Sequence, residues 1–288
     1  MNYDHAYHAG NFADVVKHAL VVRIVEYLKR KDKPFRVIDT HAGSGLYDLS
    51  GERAQKTGEW RTGIGRLMEL RATLPPAAAE LLAPYLDIVS DLNPKGGIEH
   101  YPGSPTIVRR LLRSRDRLTA IELHPEAASE LRSRFQGDFS TRVIELDGWL
   151  SLGAHLPPKE KRGMVLVDPP YEIEDEFGRI VDGLQVAHRR WPGGIYAFWY
   201  PIKDRREVRR FRDALSALGI PRILDATVTI RAPLQLPRLD GTGMVIVNPP
   251  YVIEEELRIL LPALARVLGE DAGAGWSVDW LAGEADPG

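Results

Sequence analysis

The chain holds 288 residues, with 38 Lys and Arg against 40 Asp and Glu, 44% hydrophobic residues and no cysteine. These proportions exclude collagen-like, low-complexity and wholly disordered chains and supply enough apolar residues for a sizeable core. Without cysteine there is no disulfide framework, thiolate nucleophile or cysteine-ligated metal site, and a net charge of −2 argues against a uniformly cationic nucleic-acid binder.

The N-terminal MNYDHAYHAG lacks the basic and apolar regions of a secretion signal, and no apolar run approaches the roughly 18 residues of a membrane span. A soluble, cytoplasmic chain with no membrane partner is expected. Asn11 then caps a helix over 12–31, with apolar residues at Phe12, Val15, Val16, Ala19, Leu20, Ile24, Tyr27 and Leu28 and basic residues in its last turn. A first strand, RVID (36–39), follows. About 75 residues separate it from the next strand, whereas a βαβ unit needs roughly 30. The surplus, residues 50–99, reads as a small helical excursion on one sheet edge. Ser104-Pro105 and His124-Pro125 mark further helix starts. Strands are expected at LTAIEL (118–123), RVIEL (142–146), MVLVD (164–168), GIYAFWY (194–200), ILDATVTI (223–230) and MVIVN (244–248), mostly continuous apolar runs suited to burial on both faces. The fold class is therefore α/β: a seven-stranded, mostly parallel sheet flanked by helices, formed by 1–49 and 100–270, with an inserted helical subdomain at 50–99. The acidic end, 271–288, reads as a poorly ordered tail.

Charge is unevenly spread. Residues 109–117 carry five Arg and one Asp, and 189–212 carry eight basic residues with Trp191, Phe198, Trp199, Tyr200 and Phe211 interleaved. Either stripe suits an RNA-facing surface or a solvated helix face.

In a parallel sheet, ligands belong at the carboxyl ends of the strands. The first strand ends in Asp39-Thr-His-Ala-Gly-Ser-Gly45, a turn that lets backbone N–H groups approach a nucleotide. Asp48 stands where a dinucleotide fingerprint wants a third glycine, so an ordinary tight turn fits as well. Glu122 ends the second strand, placed to accept hydrogen bonds from a ribose diol, and Asp147-Gly148-Trp149 after the third offers another acceptor, a permissive glycine and an aromatic plane, together suiting an adenosine-type cofactor. The fourth ends in Asp168-Pro169-Pro170-Tyr171. Two prolines lock a rigid turn that presents a carboxylate, a carbonyl and an aromatic ring together. That set suits an exocyclic amine on a flat ring: Asp168 and the Pro169 carbonyl accept its two N–H groups while Tyr171 stacks. Such bonds would aim the nitrogen lone pair at an electrophilic methyl, by positioning and electrostatics more than by strong general-base action. Asn248-Pro-Pro-Tyr251 nearly copies this turn but follows the seventh strand, and reads as a structural or substrate-side loop. His5-x-x-His8 lacks further ligands at metal spacing, so no metal is expected.

The Gly-containing first loop, the acids after strands two and three, and D-P-P-Y after strand four together resemble the class I S-adenosylmethionine-dependent amino-methyltransferases. Beyond these, Tyr3 with HAGNFADVVKH (8–18), DTHAGSGLYDLSG (39–51), EWRTGIG (59–65), YPGSP (101–105) and VDPPYE (167–172) are similar to the bacterial RlmJ family of 23S rRNA adenine-N6 methyltransferases, over nearly the whole chain. The resemblance implies a Rossmann-like fold, S-adenosylmethionine as cofactor and N6-methylation of one adenine in 23S rRNA, the partner; a monomer is expected. It implies that His18, His41, Ser104, Glu122, Asp147 and Gly148 contact the cofactor. Asp168 would be the catalytic acceptor, also beside the cofactor, with Tyr3, Pro169 and Tyr171 on the target RNA. Read without it, His18 on an amphipathic helix fits a satisfied core histidine better than a ligand. DNA adenine or protein glutamine methylation, nicotinamide chemistry and non-catalytic RNA binding are the alternatives.

Overall fold

The computed structural model describes residues 4–234 and 238–284. Tyr3 lies outside them. Helix α1 (Phe12–Lys29) begins where the sequence places it, with the Asn11 side chain accepting from the Asp14 N–H at 3.0 Å. The strands are β1 (Arg36–Asp39), β2 (Leu46–Asp48), β3 (His100–Pro102), β4 (Arg117–Glu122), β5 (Thr141–Glu145), β6 (Gly163–Val167), β7 (Ile195–Ile202), β8 (Ile223–Thr229), β9 (Gly241–Val247) and β10 (Gly275–Ala282). The main sheet has eight strands in the order β10-β8-β9-β7-β6-β1-β4-β5. From β7 to β5 it is parallel, and β9 and β10 run antiparallel to their neighbours.

The eighth strand corrects the reading of the acidic end. Charge counting hid an alternating segment: Val278 enters the core, while Asp279 projects outward to Arg212 at 2.7 Å, and the strand pairs along β8. Side chains alternate across the sheet as the period of two requires. Val37, Leu166 and Ala197 face one layer of helices, and Ile38, Val167 and Phe198 the other.

On the first face lie α1, α5 (Ser104–Leu111) and α10 (Ile253–Leu268); on the second, α8 (Glu176–Arg190) and α9 (Arg205–Ser216). Two short helices, α6 (Pro125–Arg134) and α7 (Gly148–Ala154), connect β4, β5 and β6. The surplus between β1 and β4 folds as α2 (Glu52–Thr57), α3 (Arg66–Glu69) and α4 (Pro76–Leu92), entered and left through the antiparallel pair β2 and β3. Contrary to the sequence reading, this excursion sits on no sheet edge. Helix α4 packs on α1 and α10, and Leu82, Tyr85 and Val89 join their core. Covered by the sheet beneath and the excursion above, α1 is buried nearly all round, so Asp14, Lys17, His18 and Arg23 are buried too. Its polar residues need internal partners.

Candidate active site

The carboxyl ends of β1, β4, β5 and β6 open onto a cavity of about 1050 Å³ lined also by α1. His18, His41, Ser104, Glu122, Asp147, Gly148, Asp168, Pro169 and Tyr171 all line it. The β1 loop owes its shape to glycine: Gly43 has φ +60°, and a Cβ there would meet the Tyr47 hydroxyl at 2.2 Å. The Gly43 N–H donates to Glu122 at 2.7 Å, and the His124 N–H donates to the other oxygen at 2.7 Å. The Glu122 carboxylate is thus fixed at the mouth of β4 with lone pairs to spare. Asp147 caps α7 by accepting from the Trp149 N–H at 2.9 Å. Gly148 allows that helix to approach β1 closely, since a Cβ would lie 2.1 Å from the Thr40 carbonyl oxygen.

Both histidines are uncharged. Burial lowers His41 to about 4 and, with Lys17 alongside, His18 to about 3. Thr40 donates its hydroxyl proton to the Leu166 carbonyl, so the His41 Nδ1–H donates to Thr40 and its Nε2 is left as an acceptor. His18 Nδ1 is bound to the Tyr101 hydroxyl at 2.7 Å, which meets Tyr85 at 2.8 Å. His18 is therefore a satisfied core histidine that also reaches the cavity wall. Ser104 does not cap its helix, which starts one residue earlier than expected with Gly103 as its N-cap. Its hydroxyl donates instead to Asp39 at 2.6 Å. Asp39 is fully buried, its second oxygen has only a loose contact from the His41 amide, and burial pushes its carboxyl up to about 7.

Asp168 is held by a buried chain of charges. Lys17 donates to Asp168 at 2.5 Å and to Asp14 at 2.7 Å, and Asp14 accepts from His5 and from the Gly10 N–H, each at 2.9 Å. Burial opposes the Lys17 charge, but the two carboxylates outweigh it and raise its pKa above the ordinary lysine value. Against its own burial, Asp14 is held well below the usual carboxylate range by His5 and Lys17. After the two prolines, Tyr171 takes φ +54° and donates its hydroxyl to the Trp199 carbonyl at 3.0 Å. Its ring meets Trp199 and Phe177 edge-on at 5.6 and 5.4 Å, so its plane is set by packing.

The family described as Ribosomal RNA large subunit methyltransferase D, RlmJ, matches residues 32–282. Ribosomal RNA large subunit methyltransferase J of Escherichia coli (strain K12) is 42% identical over 99% of this chain and 100% of its own length, and that of Haemophilus influenzae 39% identical over the same shares. The chain belongs to the RlmJ family. A crystal structure of a Legionella pneumophila protein, 32% identical, matches with a TM-score of 0.86 over 94% of this chain and 98% of that one.

In this RlmJ-family chain the fold gathers every expected site residue it describes. It also brings in Asp14, Lys17 and Asp39, which sequence reasoning left unassigned. A signal existed for the first two: opposite charges three apart inside the apolar run FADVVKHALVV have no reason to be there unless the helix is covered and they pair. The second Pro-Pro-Tyr turn lies at the opposite end of the sheet, because β9 runs antiparallel to β7 while β6 runs parallel to it. Asn248, at φ +51°, spends its amide on the Pro192 and Gly194 carbonyls at 2.7 and 2.8 Å. It closes a structural turn.

Proposed function

We propose that the protein transfers a methyl group from S-adenosylmethionine to the exocyclic amine of one adenine in 23S rRNA. The observation that carries this is the placing of Asp168-Pro169-Pro170-Tyr171 in one cavity with the ordered acids Glu122 and Asp147. The carboxylates Glu122, Asp147 and Asp168 at the strand ends line the cavity, which suits a ligand that carries ammonium and sulfonium charges. Uncharged His18 and His41 avoid repelling it. When bound, the cofactor supplies an electrophilic methyl. Glu122 would hold its ribose, and Asp147 and Gly148 its adenine, with His18, His41 and Ser104 around the remainder.

On the substrate side, an extruded adenine slides against the fixed Tyr171 ring. Its N–H groups donate to Asp168 and the Pro169 carbonyl, drawing the nitrogen toward tetrahedral geometry. Positive charge develops on that nitrogen, and Asp168 stabilises it. Lys17 fixes the Asp168 side chain through the 2.5 Å ion pair, and the amine proton departs to solvent through the partly open Asp168 side. The test is methyl-labelled S-adenosylmethionine with protein-free 23S rRNA, digested to nucleosides. Label should appear in N6-methyladenosine, and Asp168→Ala should lower kcat by about 10²–10³-fold with cofactor affinity kept within a few-fold. Transfer by the Asp168→Ala protein at the wild-type rate sinks the reading.

A further inference from the structure

Of the two basic stripes, one is consumed inside the molecule. Arg109 pairs with Asp138, Arg110 with Asp91, Arg113 with Asp116 and Arg115 with Asp32, while Arg117 bonds backbone carbonyls. This stripe leads into the start of β4, the end of the sheet away from the cavity. The other stripe differs on both counts. Helix α9 buries Val208, Phe211 and Leu215 and turns Arg205, Arg206, Arg209 and Arg210 to solvent. Among the described residues these four and Lys203 make no ion pair, whereas Arg212 pairs with buried Asp225 and with Asp279.

Position matters as much as charge. Lys203 lines the main cavity along with Asp168, Tyr171 and Trp199. It also lines a neighbouring groove of about 520 Å³, whose walls include Tyr171, Phe177 and Arg210. Tyr171, Ile173, Glu176, Pro201 and Lys203 border both spaces, so the groove adjoins the cavity between the D-P-P-Y turn and α9. The groove is not purely cationic: Glu174, Asp175, Glu176, Asp204 and Glu207 line it too, Glu176 paired with Arg179. Asp175 and Asp204, however, are occupied in capping α8 and α9. The unneutralised cations therefore lie on the α9 side.

We propose that Lys203 and the α9 face bearing Arg206, Arg209 and Arg210 bind backbone phosphates of the RNA strand flanking the target adenine. This rests on the assignment of rRNA as substrate. Phosphate contacts carry no sequence information but set register and orientation, here holding the strand while its base enters the Tyr171 pocket. The chemistry fits polyanion and not a peptide, because five unpaired cations are exposed in eight residues of sequence with only Asp204 and Glu207 between them.

The experiment measures RNA affinity against salt for the wild type, for Lys203→Gln/Arg206→Gln/Arg210→Gln, and for the control Arg110→Gln/Arg115→Gln, using a 23S rRNA fragment that the wild type methylates. The α9 variant should lose at least about 10-fold in affinity at low salt, and its log–log salt slope should fall by about 0.7–0.9 for each contact removed. Its KM for RNA should rise more than its kcat falls, with cofactor affinity and unfolding midpoint unchanged. The control should match wild type. A salt slope unchanged in the α9 variant, or reduced instead in the control, overturns the proposal alone. A wild-type protein that methylates DNA or peptide and not rRNA overturns the functional reading and this surface with it.

Discussion

Lys17 is 4% exposed and sits between Asp14, 3% exposed, and Asp168, 13% exposed. A buried cation in that position offsets two desolvated carboxylates, and removing it leaves their charges facing one another. Lys17→Met should therefore destabilise the protein by about 3–5 kcal/mol in denaturant unfolding, and Asp14→Asn added to it should recover part of that loss. Equal loss in the single and double variants would show that the two charges are not coupled. What the sequence offered at this scale was residue type: Glu122, Asp147 and Asp168 announced themselves at strand ends. Lys17 did not, because its partner lies 151 residues away and only folding brings them together.

At the scale of elements, two nearly identical strand-turn units have opposite fates. MVLVDPPY ends on the cavity and MVIVNPPY ends on the far side, although their local sequences specify the same strand and turn. Strand direction separates them, and direction is a property of pairing, not of the segment. Asn248→Ala should cost about 2–3 kcal/mol, from two lost hydrogen bonds and a left-handed backbone that alanine tolerates poorly, while methyl transfer per folded molecule stays at wild type. A specific loss of transfer in that variant would return the second turn to the active site. Pairing also decided β10. Its acids suggest a loose tail by composition, yet strand hydrogen bonds to β8 and the Arg212 contact to Asp279 place it in the sheet.

For the whole molecule, burial of titratable groups writes a pH dependence into stability. Between about pH 4 and 6.5 the unfolded chain protonates His18 and His41, held at about 3 and about 4 when folded, so each favours stability rising with pH. Asp39 and Asp225, pushed up to about 7 and about 6, keep protons that the unfolded chain releases and act in the opposite direction. Asp39→Asn keeps an acceptor for Ser104 but removes one opposing group. The slope of unfolding free energy against pH, measured by denaturation between about pH 4.5 and 6.5, should become more positive by about 1.4 kcal/mol per pH unit. An unchanged slope would mean that Asp39 is ionised when folded. The sequence by itself determined the α/β class, most of the strands, the inserted helical excursion and the acids and D-P-P-Y turn of the site, because each is encoded in short-range periodicity or in a contiguous motif. The tertiary structure alone decided that the excursion covers α1, that Lys17 joins Asp14 to Asp168, which Pro-Pro-Tyr turn faces the cavity, and which basic stripe remains unneutralised. Those outcomes depend on contacts between residues distant in sequence, where burial and strand direction, not residue type, set the environment.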